Sequence, residues 1–262
     1  MVSPAPVQIA DETFVVHHRR AGGDGSVVPV ASLVVLGRQP LLVGAGPLAA
    51  ADLAAGGFGL VEPGAVRWIF LSHHQRDHAG NVLGALAACA NATVVTSWLT
   101  ARRMESAGMV VPPGRLHLVD DGDVLDTGDR ALVVERPPLH VQPESLGLLD
   151  ASTRVHWTAE CFSALLRTPA VVLDGDVAEW DEAFVRYHHW CCPWVHAVDA
   201  AWWQRAVDHI AGHDPAALVP LHGPALRGAP VAHALAALRE LPMLAPVRRD
   251  SRPVPLGGRP SV

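Results

Sequence analysis

Ser72-His73-His74-Gln75-Arg76-Asp77-His78-Ala79-Gly80 follows without a break on the apolar run Val66-Arg67-Trp68-Ile69-Phe70-Leu71. The run reads as a buried strand. Donor side chains at a strand end can be aimed at one point. Between His73 and His78 the stretch holds imidazoles and a carboxylate, the donors of zinc, iron and manganese sites. A metal centre is one reading, a solvated polar loop the other, and later segments decide between them.

The stretch resembles the metal motif of the metallo-β-lactamase superfamily, His-x-His-x-Asp-His. It is closer to the flavodiiron form, His-x-Glu-x-Asp-His-x-Gly, with Gln75 at the Glu position. Three further segments resemble that family in its own chain order. Pro137-Pro138-Leu139-His140-Val141-Gln142-Pro143-Glu144-Ser145 resembles Pro-x-Leu-His-Trp-Pro-Asp-Ser, departing from it at Val141-Gln142. Val155-His156-Trp157-Thr158-Ala159-Glu160-Cys161-Phe162-Ser163 stands where the family has a strand leading to Asp-Ala-Phe-Gly, so Glu160 takes the place of a bridging Asp. Leu218-Val219-Pro220-Leu221-His222-Gly223-Pro224 resembles the closing strand and its Ser-His-Gly-Pro. An unrelated histidine-rich loop would not repeat this order of strand-end donors.

The resemblance implies an α/β fold, the four-layer αββα metallo-β-lactamase fold of two mixed sheets sandwiched by helices. It implies the ligand set His73, Gln75, Asp77, His78, His140, Glu160 and His222, holding two iron ions with Glu160 between them. Zinc or manganese, or a single ion, stays open, because donor types alone do not select a metal. Asp77, Glu160, Tyr187 and His188 are the implied residues of catalysis, the Tyr187-His188 pair as a proton donor beside the metals. Two departures bear on the site: Gln75 removes a negative charge from the ligand set or turns away, and Gly44 stands where the family has an Asp.

The implied activity is that of a stand-alone di-iron protein that binds or activates dioxygen. It would be an oxidase, an oxygenase or a reductase of O2 or NO, fed by an external electron-transfer protein or by its substrate. The expected partners are small molecules (O2, NO or an organic substrate) and a second copy in a homodimer. A dizinc hydrolase of an ester, thioester or lactone is the alternative within the same fold. A non-catalytic oxygen-binding or degenerate scaffold is the third.

Composition narrows the field. The chain has 262 residues, 50% hydrophobic, enough for one domain with a sizeable core. Its net charge of −6, with every basic residue an Arg, offers no basic face for nucleic acid or an anionic membrane. No apolar stretch approaches the roughly 20 residues that span a bilayer, and the first residues lack a secretory pattern, so a cytoplasmic protein is expected. Cys89, Cys161, Cys191 and Cys192 lie outside zinc spacings, and the adjacent pair reads as two packed thiols.

Along the chain, residues 26–36 and 40–43 read as opening strands, 66–71 and 92–96 as strands, and 81–90 as a helix. A helix over 97–106 is capped by Ser97. Strands return at 115–119, 131–135, 145–150 and 154–158. Helical spacing covers 181–190 and 195–211, broken at Pro193, and a last helix covers 231–241. Residues 1–241 are expected to form the metal domain, with no flavodoxin-like domain after it, and the Pro/Arg/Gly-rich 242–262 a mobile tail. Trp190, Trp194, Trp202 and Trp203 cannot share one helix face, so some line a pocket or a subunit contact. His17, His18, His117, His156, His196, His209, His213 and His233 read as surface or core-edge histidines with satisfied hydrogen bonds, and His74 as pointing away from its neighbours.

Overall fold

Two seven-stranded sheets carry the architecture, and a computed structural model describes residues 5–21, 27–46 and 59–244. The first sheet runs in chain order: β1 (Val7–Ala10), β2 (Thr13–Ala21), β3 (Val27–Val35), β4 (Leu41–Val43), β5 (Trp68–Phe70), β6 (Thr93–Thr96) and β7 (Leu116–Leu118). β1 to β4 pair antiparallel and β4 to β7 pair parallel. A parallel neighbour requires a crossover. Helices α1 (Arg76–Ala79) and α2 (Val82–Ala88) supply it from β5 to β6, and α3 (Trp98–Ser106) from β6 to β7.

The second sheet contains β8 (Val124–Asp126), β9 (Ala131–Glu135), β10 (Gly147–Asp150), β11 (Val155–Trp157), β12 (Val172–Leu173), β13 (Ala217–Val219) and β14 (Ala225–Arg227). Their spatial order is β12-β14-β13-β11-β10-β9-β8. Helices α4 (Ala178–Cys191), α5 (Ala200–Gly212) and α6 (Ala229–Glu240) complete the described helices.

The central strands read as continuous apolar runs because both of their faces are covered. In β5, Phe70 enters the core between the sheets, with Val15, Val43, Leu148 and Trp157, while Ile69 meets the α1–α3 side with Leu86 and Met104. A third cluster packs Leu218 and Leu226 of the second sheet against Trp180, Phe184, Trp203 and Leu238 of α4, α5 and α6. Burying each such side chain contributes roughly 1.5–3 kcal/mol. The layers are therefore helix, sheet, sheet, helix, as expected.

Several expectations need correction. Two strands, β1 and β2, precede the segment read as the opening strand. The short helix α1 lies inside the histidine motif. Residues 195–211 are not one helix, because a 3-10 turn ends at Ala197 and Asp199 caps α5 by accepting the Trp202 N–H. The tail beyond residue 244 lies outside the described residues. Helices α4 and α6 and the break at Pro193 stand where spacing placed them.

Candidate metal centre

Strand direction decides where the donors gather. β9 is antiparallel to β10, β10 is antiparallel to β11, and β11 is parallel to β13. The carboxyl ends of β9, β11 and β13 therefore leave the second sheet on one side, and the segments following them carry His140, Glu160 and His222. The first sheet delivers His73 directly after β5 and Asp77 from α1. Trp157 joins the two contributions, donating its indole N–H to Ser72 Oγ at 2.7 Å.

Two imidazole–carboxylate contacts form the centre. His73 Nε2 lies 2.9 Å from Glu160 Oε1, and His222 Nε2 lies 3.3 Å from Asp77 Oδ2. His73 and Glu160 are buried, their Nε2 and Oε1 atoms have no polar partner beyond each other, and Asp77 Oδ1 lacks a hydrogen-bond partner. Burial opposes charge on His73 and His222, but attraction to Glu160 and Asp77 respectively outweighs it, so both pKa values are raised. Burial works against the charge of Asp77 too, and the His222 hydrogen bond and charge reverse that, holding the carboxyl below its usual range. Each imidazole thus faces its carboxylate across a proton-sharing contact, and a cation placed between the partners would displace that proton.

Neighbouring groups orient these rings. His222 Nδ1 donates to the Pro29 carbonyl at 2.9 Å, and His140 Nδ1 contacts the Pro137 carbonyl at 3.2 Å. With Nδ1 donating, the neutral ring leaves its lone pair on Nε2, an arrangement that suits a metal-binding histidine. His140 also packs against Trp194, ring centroids 5.0 Å apart. Glu160 is held in a tight turn whose Ala159 and Phe162 have φ of 50° and 69°. Such left-handed residues cost about 1–3 kcal/mol each and gather at functional sites. Beyond His222, Gly223 has φ +107°, and a Cβ there would lie 2.3 Å from the Ala164 carbonyl oxygen.

His78 departs from expectation. Its Nε2 accepts the Ser72 N–H at 2.8 Å, and burial together with His73 keeps its pKa low, so the ring is neutral and its lone pair is already used. Its Nδ1 faces Gly44, where a Cβ would stand 3.2 Å away. Gly44 itself has φ +84°, which favours glycine over the Asp expected there. As placed, His78 supports the loop and presents no lone pair to the centre.

Gln75 caps α1, its N–H reaching His73 Nδ1 at 3.2 Å, and it lines a cavity of about 450 Å³ with Arg76, Asp77, Tyr187, Cys191 and His222. Tyr187 lies 6.1 Å from His222 between ring centroids. Burial, then Cys191, raises its pKa well above the usual value, so the phenol keeps its proton. His188 differs: it is packed against Phe184 and Tyr187, and it is not among the cavity-lining residues. His74 turns away as expected, its Nδ1 lying 2.6 Å from buried Glu144. Motif reading passed over Ser72, Trp157 and the Pro29 carbonyl, because these support the site through contacts between distant elements. All four cysteines are free thiols.

No family model matches the sequence. Among curated proteins, "Putative diflavin flavoprotein A 2" of Nostoc sp. strain PCC 7120 is 33% identical over 106 residues, 40% of this chain and 18% of that protein. "Putative diflavin flavoprotein A 3" of the same organism is 28% identical over 132 residues, 50% of this chain and 22% of that one. Among solved structures, rubredoxin oxygen:oxidoreductase from the anaerobe Desulfovibrio gigas has a TM-score of 0.75 at 20% identity, covering 90% of this chain and 61% of its own. The metal-soaked Flv1 flavodiiron core from Synechocystis sp. PCC6803 has a TM-score of 0.74 at 18% identity, covering 92% and 62%. The chain spans less than a quarter of these curated relatives and about three fifths of these two structures. Its fold is that of the metallo-β-lactamase-like core of flavodiiron proteins. Among the described residues no helix is long and apolar enough to cross a membrane.

Proposed function

We propose that this chain is a di-iron protein of the flavodiiron type, acting on dioxygen or nitric oxide with electrons from a separate protein or from an organic substrate. One observation carries the reading. The buried His73–Glu160 pair and the Asp77–His222 pair at the cavity converge from both sheets, and their polar atoms face one another. Their imidazole and carboxylate donors fit iron. His73, Asp77, His140, Glu160 and His222 would hold the ions, and Gln75 stands at the cavity wall as a neutral further donor.

Bound iron would supply the electrons and the open positions that a diatomic ligand needs. The chain's own residues do the rest. Glu160 supplies negative charge beside the histidines, the strained turn holds it there, and buried Trp157 ties the two sheets together through Ser72. Tyr187 keeps a proton beside His222 at the cavity, the place from which reduction of a diatomic molecule would draw it.

Metal analysis of protein purified without oxygen, with oxygen uptake measured under a chemical reductant, tests this reading. Two irons with uptake are expected. Two zincs without uptake would assign the chain to the metallo-hydrolases, and little of either metal would mark a scaffold.

A further inference from the structure

The outer face of the second sheet carries another convergence of ligand-type side chains. In β9, Leu132 and Val134 point into the core between the sheets, which places Glu135 on the opposite face. In β11, Val155 and Trp157 point inward, which places His156 on the same outer face as Glu135. The end of α5 lies over them, with His209 and His213 one turn apart.

Glu135 Oε1 is 2.5 Å from His213 Nε2 and 3.2 Å from His209 Nε2, while Glu135 Oε2 is 3.5 Å from His156 Nε2. Glu135 and His156 are 5% and 1% exposed. Glu135 Oε2, both ring nitrogens of His156, and His213 Nε2 are buried without hydrogen-bond partners. Buried polar atoms without partners are costly, and here His213 Nε2 and His156 Nε2 face the two oxygens of Glu135. The ligand atoms of Glu135, His209 and His213 lie within 4.8 Å of one another. Tetrahedral coordination with bonds of roughly 2.1 Å would set them about 3.4 Å apart, a small adjustment.

We propose that Glu135, His209 and His213 form a second metal site, taking a divalent transition cation of the zinc type, with His156 packed behind Glu135. Two imidazoles and one carboxylate match the donors of a zinc site that keeps its fourth position open. The site is separate from the His73 centre: Trp157, adjacent to His156, stacks on His78 at 5.7 Å from the inner side of the same sheet. His209 and His213 reach solvent, giving an ion access. A bound cation would pin α5 to β9, the strand that leads to His140.

The test is zinc titration of the full chain against a chromophoric chelator, comparing wild type with His209→Ala/His213→Ala. Wild type is expected to bind one equivalent more than the variant and to gain more in Tm from added zinc. Equal stoichiometry and equal thermal shifts would overturn the proposal. Glu135→Gln serves as a second probe should the double variant not fold: at least tenfold weaker binding of one equivalent supports the site, and unchanged affinity overturns it. The result is independent of iron loading, since an equivalent lost with His209 and His213 counts whether or not the His73 centre fills.

Discussion

Among single residues, His78 and Glu160 make opposite uses of neighbouring motifs. His78 accepts a backbone N–H, whereas Glu160 Oε1 is buried facing His73 Nε2 at 2.9 Å. Glu160→Ala is therefore expected to lose most bound metal, while His78→Ala retains it with a loss of stability, because a cavity replaces a packed ring. Metal content of the two purified variants decides; equal loss would mean that His78 turns to ligate. Gln75→Glu should raise iron occupancy and make the reduced centre easier to oxidise, since an added anion favours the more positive ion. A redox titration of both iron-loaded proteins checks this. Unchanged potential and occupancy would place the Gln75 side chain away from the ions.

At the level of elements, Ser97 shows what a local signal accomplishes. Its hydroxyl accepts the Thr100 N–H at 3.1 Å and begins α3 at the residue its sequence suggests. Ser97→Ala should cost about 1 kcal/mol. The urea midpoint should fall while metal content stays unchanged, because α3 carries no proposed ligand; metal loss in this variant would show that the crossover holds the centre. Strands such as β9 and β11 were legible because composition and turn signals agree there. β2 was not, since His17-His18-Arg19-Arg20 interrupt its apolar pattern and pairing with β3 is what makes the strand. Periodicity also ran through 195–211, where the Asp199 cap starts a new helix. The proposed ligands His73, Asp77, His140, Glu160 and His222 could be read from motifs that each lie within one stretch of chain. Glu135, His156, His209 and His213 could not, because their meeting depends on sheet register and helix placement.

Taken as a whole, the molecule keeps several histidines neutral in its interior, and this links its stability to pH. His188 is fully buried in the third core cluster's region, T-shaped against Phe184 at 4.7 Å, and both ring nitrogens lack hydrogen-bond partners. Burial, and secondarily His189, push its pKa down to about 3. His17 is pushed down to about 4, by burial and then by His18. An unfolded chain would protonate these groups near 6.5, so between that pH and the folded values the unfolded state binds more protons. Their contribution to stability is complete above about pH 6.5 and is lost as pH falls toward 3, at up to about 1.4 kcal/mol per pH unit for each group. His188→Phe removes one titrating group while keeping an aromatic ring in an apolar setting and giving up no hydrogen bond. Urea unfolding of the metal-free proteins at pH 7, 6, 5 and 4.5 should therefore give a shallower decline for the variant, with the remaining slope left to His17 and its like. Parallel curves would show that His188 takes up its proton inside the fold, through a partner or a water that the packing admits.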